Sequence, residues 1–253
     1  MEQIIKKKLF EIEQKEHVKI IMAVESGSRA WGFASPDSDW DVRFLYIRRM
    51  EDYLRLDPVR DVIEWQLDEK LDINGWDMKK ALQLLHHSNP AIFEWCASPI
   101  VYRGGPEFEK FKELLPEYFS VQKSLYHYQS MAKRNYQGCL KDMVRVKTYF
   151  HVLRPLLAAK WVMDWKCPPP MLFSDLMETE LEKGLIPEVE RLLEMKRSLP
   201  EMGDASKISV LNEYIEATLD EVRKATEKAK EMDVTWDKLN AYFLELNLCG
   251  IVL

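Results

Sequence analysis

Glycine is scarce in this chain of 253 residues, and neither proline nor cysteine is enriched. Nine glycines and 12 prolines are too few for a fibrous chain or a low-complexity linker. No two cysteines have the CxxC or finger spacing that binds zinc. The thiols are therefore expected to be reduced, as in a cytoplasmic protein. The four cysteines are Cys96, Cys139, Cys167 and Cys249.

Long apolar segments are missing as well. No run approaches the roughly 20 residues that a membrane-spanning helix needs. The first residues, MEQIIKKKLFEIEQKE, mix charges where a signal peptide has an apolar core. We therefore expect a cytoplasmic location and no membrane partner. The net charge of −6 excludes a globally basic nucleic-acid-binding protein but allows a local basic surface.

The first 105 residues alternate between short apolar runs and helical patterns. Apolar runs bounded by turn residues predict strands, and apolar residues at spacings of three and four predict helices. A fourth strand, Lys70–Ile73, is expected to run into a turn at Asn74-Gly75, and Asp77 is expected to cap the helix that follows. The other predicted strands are 18–24, 42–47, 61–67 and an edge strand at 100–102, and the predicted helices are 1–15, 78–87 and one starting near Pro90.

Beyond the turn at Gly104-Gly105-Pro106 the periodicity is almost entirely helical. One helix is predicted over Leu140–Trp165, with a kink or break at Pro155. The fold class expected from this pattern is α+β. Residues 1–105 are predicted to form a domain with a small mixed β-sheet and flanking helices, and residues 106–253 a helical domain.

One stretch between two predicted strands carries the residues best suited to chemistry. Gly27-Ser28 follows the first strand, where backbone N–H groups and a hydroxyl can hold phosphate oxygens. About ten residues later come Asp39 and Asp41, which point to the same side of an extended chain. Two carboxylates that converge repel each other, and a hard cation such as Mg²⁺ relieves the repulsion. An Asp-x-Asp pair alone is common in solvated loops, but this combination favours a metal and phosphate site.

The string GSRAWGFASPDSDWDVRFLYI, residues 27–47, resembles the signature of the DNA polymerase β-like nucleotidyltransferase superfamily. In that signature, Gly-Ser is followed by Asp-x-Asp leading into a strand. The string is similar to one branch in particular, the predicted bacterial and phage nucleotidyltransferases linked to RNA repair. Residues 71–102 and 145–162, with the later PPPMLF, also resemble that branch. The resemblance covers roughly the first 175 residues.

The resemblance implies a role for each matching residue. Gly27 and Ser28 would hold the triphosphate, and Asp39 and Asp41 would bind the metal ions as catalytic carboxylates. The cofactor implied is Mg²⁺, as two ions, with Mn²⁺ as an alternative. The partners implied are a nucleoside triphosphate and, from the branch alone, an RNA acceptor.

The superfamily adds a third carboxylate from a later strand, which binds metal and activates the acceptor hydroxyl. Asp72 is our assignment for it, because it lies in the strand-like Leu-Asp-Ile. The alternative role for Asp72 is that of a turn residue before Asn74-Gly75. Asp77 is the second choice, since a helix N-cap explains it better.

Basic residues on both sides of the carboxylates are further candidates for binding the nucleotide. Arg29 and Arg43 flank the acidic pair, and Arg43 could instead form a structural ion pair with the aspartates. Lys147 and Arg154 share one helical face with His151, which could meet a triphosphate or an RNA backbone. They belong to a stretch, residues 131–166, with eight Lys and Arg against two Asp. The alternative is a solvated helix face.

The expected reaction is transfer of a nucleoside monophosphate from a nucleoside triphosphate to an acceptor hydroxyl, with loss of pyrophosphate. The acceptor expected from the branch is an RNA end. One alternative is a nucleotidyltransferase that modifies a small molecule or a protein hydroxyl. The other is a non-catalytic protein that binds nucleotide or RNA. The preferred base and the oligomeric state do not follow from the sequence.

Overall fold

The structure is a computed structural model, and it describes residues 1–68, 70–198 and 204–248. The strands are β1 (Lys19–Glu25), β2 (Trp40–Ile47), β3 (Val62–Asp68), β4 (Leu71–Asp77), β5 (Val101–Arg103), β6 (Met143–Arg145) and β7 (Asp204–Ser206). The helices are α1 (Glu2–Glu16), α2 (Gly27–Ala30), α3 (Met50–Tyr53), α4 (Met78–His86), α5 (Pro90–Cys96), α6 (Pro106–Leu114), α7 (Val121–Tyr136), α8 (Val146–Trp165), α9 (Phe173–Glu180), α10 (Ile186–Ser198), α11 (Ser209–Lys228) and α12 (Asp237–Leu248). Single 3₁₀ turns occupy Leu115–Tyr118, Gln137–Leu140 and Lys183–Leu185.

The predicted α+β class is confirmed by a five-stranded mixed sheet in the order β3-β4-β2-β1-β5. The pair β2 and β4 is parallel, and the other neighbouring pairs are antiparallel. The edge strand expected near residue 101 is present as β5. Since β2 and β4 are parallel neighbours, the residues at their starts lie side by side.

One face of this sheet is covered by α1, which buries Ile5, Leu9 and Ile12. These side chains form a core with alternate residues of the strands, including Phe44 of β2 and Ile73 of β4. Because side chains alternate between the two faces of a strand, the intervening residues of β2 and β4 face away from α1. That second face is the one that carries the polar residues discussed below.

The turn predicted at Asn74-Gly75 is wrong, because β4 continues through both residues to Asp77. Parallel pairing with β2 keeps this segment extended, with Gly75 opposite Phe44. A Cβ atom at Gly75 would lie 2.2 Å from the ring of Phe44, which is fully buried. The glycine therefore makes room for a core aromatic ring instead of forming a hairpin turn.

Gly75→Ala is expected to destabilise the protein by about 1–3 kcal/mol, because the added methyl group overpacks the ring of Phe44. Urea denaturation of both proteins measures the difference. Gly184→Ala is the matched control, since a Cβ atom there meets nothing within 4 Å. Equal stability of Gly75→Ala and wild type would contradict this account of the strand.

The chain divides into two compact units. The first consists of Met1–Gly27, Asp39–Tyr118 and Asp233–Leu253, and it contains the five-stranded sheet. The second consists of Ser28–Ser38 and Phe119–Met232. Each unit draws on segments from both sides of residue 105, so the expected domain boundary there stays a prediction.

The second unit is built on the packed pair α7 and α8, with α11 packed against both helices and α9 and α10 packed against α8. Phe33, from the short segment Ser28–Ser38, is buried in this unit. Its ring centroid lies 5.0 Å from that of Phe150 and 5.5 Å from that of Phe173. The segment between the Gly-Ser and Asp-x-Asp motifs is thus anchored by an aromatic core.

The helix predicted over Leu140–Trp165 begins later than expected. Its first residues form a 3₁₀ turn and strand β6, which pairs with β7, and α8 starts at Val146. Pairing with a distant strand satisfies the backbone hydrogen-bonding groups of this segment. The periodicity of the segment itself does not reveal that pairing. The helix then continues past Pro155 to Trp165.

Three of the cysteines, Cys96, Cys139 and Cys167, are free thiols, as predicted, and Cys249 lies outside the described residues. Burial raises the pKa of the Cys139 thiol to about 12, so it stays protonated and unreactive at neutral pH. No helix in the described part of the chain is both long and apolar enough to span a membrane.

Candidate active site

Two of the predicted carboxylates lie side by side at the start of the parallel strand pair. Asp41 of β2 is the register partner of Asp72 of β4, and both face away from α1. The guanidinium of Arg43 joins them: its Nη2 donates to Asp41 Oδ1 at 3.2 Å and to Asp72 Oδ2 at 2.8 Å. The ion pair considered from the sequence is therefore present, and Asp72 is not in a turn.

Asp39 lies one residue before β2 and is exposed. Its negative charge acts on the Asp41 carboxyl. The pKa of the Asp41 carboxyl is raised, first by burial and then by repulsion from Asp72 and Asp39, while Arg43 opposes the shift. The side chain of Asp41 is 30% exposed and that of Asp72 is 49% exposed, so both can meet a ligand. Three negative charges and one positive charge thus meet at the start of these strands.

Gly27 explains how the Asp41 carboxylate fits against the chain. Its φ of +61° is unfavourable for residues with a side chain, and a Cβ atom there would lie 2.2 Å from Asp41 Oδ2. The sequence predicts that a phosphate approaches the backbone of Gly27 closely. In the structure, the carboxylate of Asp41 makes that close approach. A role of Gly27 in holding the triphosphate stays a prediction.

Glu25 was not identified from the sequence, although it supports the site. It is fully buried at the end of β1, and its Oε1 accepts the backbone N–H of Asp41 at 2.9 Å. Its Oε2 accepts the hydroxyl of Tyr102 at 2.5 Å. The available signal was a single acidic residue closing an otherwise apolar strand, directly before Ser26-Gly27.

Tyr102→Phe is expected to destabilise the protein by about 1–3 kcal/mol, because a buried carboxylate oxygen of Glu25 loses its hydrogen bond. Denaturant unfolding measures the loss. Tyr126→Phe is the control, since that side chain is 67% exposed. If the two variants were equally stable, the Tyr102 hydroxyl would not support Glu25.

Asp77 caps α4, as the sequence indicates. Its Oδ1 accepts the backbone N–H of Lys79 at 2.8 Å, and its carboxylate also accepts the hydroxyl of Tyr53. The side chain is buried at the opposite end of β4 from Asp72, and burial raises its pKa. These contacts give Asp77 a structural role, and Asp72 stays our prediction for the third carboxylate.

Ser28 and Arg29 belong to the second unit, in the segment that holds Phe33. The Nη2 of Arg29 donates to the carbonyl oxygen of Ser38 at 2.6 Å, which ties the two ends of this segment together. Arg29 therefore has a structural contact, and its predicted contact with phosphate, like that of Ser28, stays a prediction.

The predicted basic face of α8 is only partly exposed. Arg154 is 2% exposed, and its guanidinium carbon lies 4.5 Å from the centroid of the Trp31 ring. Lys147 is half-buried and His151 is exposed. An arginine packed this deeply contributes to the core of the second unit, so its substitution is expected to lower stability. Nucleotide binding by Lys147 and Arg154 stays a prediction.

The sequence matches the family described as RlaP, the RNA repair pathway DNA polymerase beta family, over residues 1–245. The chain belongs to this family. It is therefore a polymerase β-type nucleotidyltransferase, as the resemblance in residues 27–47 implies. The match continues well beyond the first 175 residues in which the resemblance was found.

One similar protein is the uncharacterized protein YcgL of Bacillus subtilis (strain 168). The two sequences are 43% identical over 249 residues, which is 96% of this chain and 95% of that protein. A crystal structure of a nucleotidyltransferase-like protein from Exiguobacterium sibiricum 255-15 covers 96% of this chain and 87% of its own. The sequences of that protein and this chain are 13% identical, and the TM-score between the two structures is 0.32, which is a low similarity.

Nucleotidyltransferases of this kind generally use divalent metals. Across the residues that the structure describes, no group of three or more His, Cys, Asp or Glu side chains could hold an ion by itself. The donors present at Asp41 and Asp72 are carboxylate oxygens, the type that Mg²⁺ prefers, and Mg²⁺ commonly completes its shell with substrate phosphates and water. The residues therefore fit an ion held jointly with a nucleotide.

Proposed function

We propose that the protein transfers a nucleoside monophosphate from a nucleoside triphosphate to the terminal hydroxyl of an RNA. The observation that carries this proposal is the pair Asp41 and Asp72, side by side on parallel strands, with Asp39 close enough to raise the pKa of Asp41. The family description, with its RNA repair pathway, supports an RNA acceptor over other hydroxyl compounds.

In this reaction the acceptor oxygen forms a bond to the α-phosphorus. The bond from that phosphorus to the bridging oxygen of the β-phosphate breaks, and pyrophosphate leaves. Asp72, which is half-exposed, takes the proton of the acceptor hydroxyl. Glu25 holds the backbone of Asp41 in place.

The cofactor that this donor set favours is Mg²⁺, which Asp39, Asp41 and Asp72 would hold jointly with the phosphates of the nucleotide. When bound, the metal supplies Lewis-acid stabilisation of charge on the phosphate oxygens. Arg43 neutralises part of the carboxylate charge and is our choice for a contact with the triphosphate. A cytoplasmic location stays a prediction.

The deciding experiment incubates the protein and Mg²⁺ with an RNA and each α-³²P-labelled nucleoside triphosphate in turn. The label is expected on the RNA, and it should disappear when periodate has destroyed the terminal hydroxyls. A γ-³²P label should not be transferred, which excludes kinase activity. Parallel reactions contain a mixed protein extract or small hydroxyl compounds such as aminoglycosides.

The outcomes separate the alternatives. If the α-label appears on a protein or a small molecule and not on RNA, the acceptor belongs to that class of compound and not to RNA. If no acceptor is labelled but nucleotide still binds, the protein is a non-catalytic binder.

A further inference from the structure

Four exposed cations lie on neighbouring segments of the second unit. Lys133 and Arg134 are in the last turn of α7, and Lys141 follows the next 3₁₀ turn. The backbone N–H of Lys207 donates to the carbonyl oxygen of Asp142 at 3.0 Å, which brings Lys207 beside Lys141. We refer to Lys133, Arg134, Lys141 and Lys207 as the cationic surface.

Within the described parts of the chain, no carboxylate forms an ion pair with any of these four side chains. Some exposed cations elsewhere in the same unit do have such partners. Arg223 of α11 pairs with Asp220 and Glu227, and Lys224 pairs with Asp220. A cluster of like charges without internal partners repels itself, and a polyanion that binds there relieves the repulsion.

The backbone that carries this surface is held in place by contacts with α8 and α11. Asn135 Nδ2 donates to the carbonyl oxygen of His151 in α8, and Asn212 Nδ2 of α11 donates to that of Cys139. A Cβ atom at Gly138 would lie 2.8 Å from the Thr148 side chain, so the turn packs tightly on α8. A surface fixed in this way loses little conformational entropy when it binds a ligand.

An exposed aromatic ring lies on the same helix face. Tyr126 is 67% exposed and precedes Lys133 by two helical turns. Three other tyrosines of this region, Tyr128, Tyr136 and Tyr149, are buried and cannot contact a ligand. Cations that follow a phosphate backbone, with an aromatic ring for base stacking, are the combination that binds single-stranded nucleic acid.

We propose that the cationic surface and Tyr126 bind the backbone and a base of a single-stranded RNA. This inference rests on the proposed function only for the choice of RNA as the natural ligand. It assigns RNA binding to residues that are separate in sequence from the carboxylates and from Lys147 and Arg154. An acidic protein partner would need the charges but not the exposed ring.

The test measures binding of a fluorescein-labelled single-stranded RNA by fluorescence anisotropy at several salt concentrations. Replacing all four cations of the surface by glutamine is expected to weaken binding by more than tenfold at low salt. The slope of log K against log salt should become shallower by about 0.7 for each phosphate that the variant no longer neutralises. The matched control is the double variant Arg223→Gln with Lys224→Gln, which should bind as wild type does.

Tyr126 supplies a second, independent measurement. Tyr126→Ala is expected to weaken RNA binding by about 5- to 150-fold, the range that corresponds to removal of one stacked base. Tyr126→Phe keeps the ring and should bind normally. Poly-glutamate of similar charge should bind wild type more weakly than RNA and should not respond to Tyr126→Ala.

Three results would overturn the proposal: normal RNA binding by the fourfold variant, an equal loss in the Arg223 and Lys224 control, or poly-glutamate binding as tight as that of RNA. The proposed function is tested separately by Asp41→Asn, which should bind RNA normally but transfer no nucleotide. If wild type binds RNA through this surface but labels none, the reaction proposed above fails and the binding surface stands.

Discussion

Asp39→Asn and Asp41→Asn are each expected to lower nucleotidyl transfer by about three orders of magnitude or more while the protein stays folded. Each substitution removes a negatively charged oxygen ligand and keeps the shape of the side chain, which matters at Asp41 because it packs against Gly27. Initial rates with labelled nucleoside triphosphate measure the effect. Asp37→Asn is the matched control, because that carboxylate is exposed in the same motif.

The same variants have a readout that does not depend on activity. Mg²⁺ with nucleotide should raise the unfolding temperature of wild type, and this increase should be absent in Asp39→Asn and Asp41→Asn. Without metal, their stability should equal or exceed that of wild type, because a site of converging negative charges is costly when empty. Normal transfer by either variant at the same Mg²⁺ concentration would refute the carboxylate mechanism.

The pH dependence of stability follows from the raised pKa of Asp41. An acid whose pKa is higher in the folded state binds more protons there, so its contribution to stability is present below the ordinary value of 3.8. That contribution is lost as the pH rises through the folded-state pKa. Asp41→Asn should remove this component from the metal-free protein. Denaturant unfolding across the acidic range compares the two profiles.

Asp72→Asn is expected to lower transfer by about 100-fold or more, as is typical when a general base is removed. Its stability should change little, because the side chain is 49% exposed. Asp77→Ala should retain transfer in the protein that stays folded but lose about 1–3 kcal/mol of stability. The loss combines the helix cap with the hydrogen bond from Tyr53.

Asp77→Asn separates the two roles further. Asparagine is also a good N-cap residue, so this variant should recover much of the stability that Asp77→Ala loses. Transfer rates should be normalised to the folded fraction at each temperature. If Asp77→Asn lowered activity more than Asp72→Asn, the third carboxylate would have to be reassigned to Asp77.

Several features of the fold followed from local patterns. The strands β1 and β2, the helices α1 and α4, and the cap at Asp77 were predicted because their apolar spacing and capping residues are encoded within a few consecutive positions. The motif in residues 27–47 identified the carboxylates for the same reason. The family assignment then confirmed the class of enzyme.

Other features depend on partners distant in sequence. Asn74-Gly75 has the composition of a hairpin turn, but parallel pairing with β2 and the ring of Phe44 keep it extended. Arg154 has the spacing of a surface cation, but it is buried against Trp31. In both cases tertiary packing outweighs local preference, which is worth only about 1 kcal/mol per residue.

By itself, the sequence determined the α+β class and the order of most elements, because periodicity and motif spacing are local properties. It also nominated Asp39, Asp41 and Asp72, whose roles stay a prediction. The tertiary structure alone decided that Asp72 stands beside Asp41, that Arg43 joins them, and that buried Glu25 holds the Asp41 backbone. It also decided which cations of residues 131–166 face solvent. The physical reason is that strand register and burial are set by contacts between segments far apart in the chain.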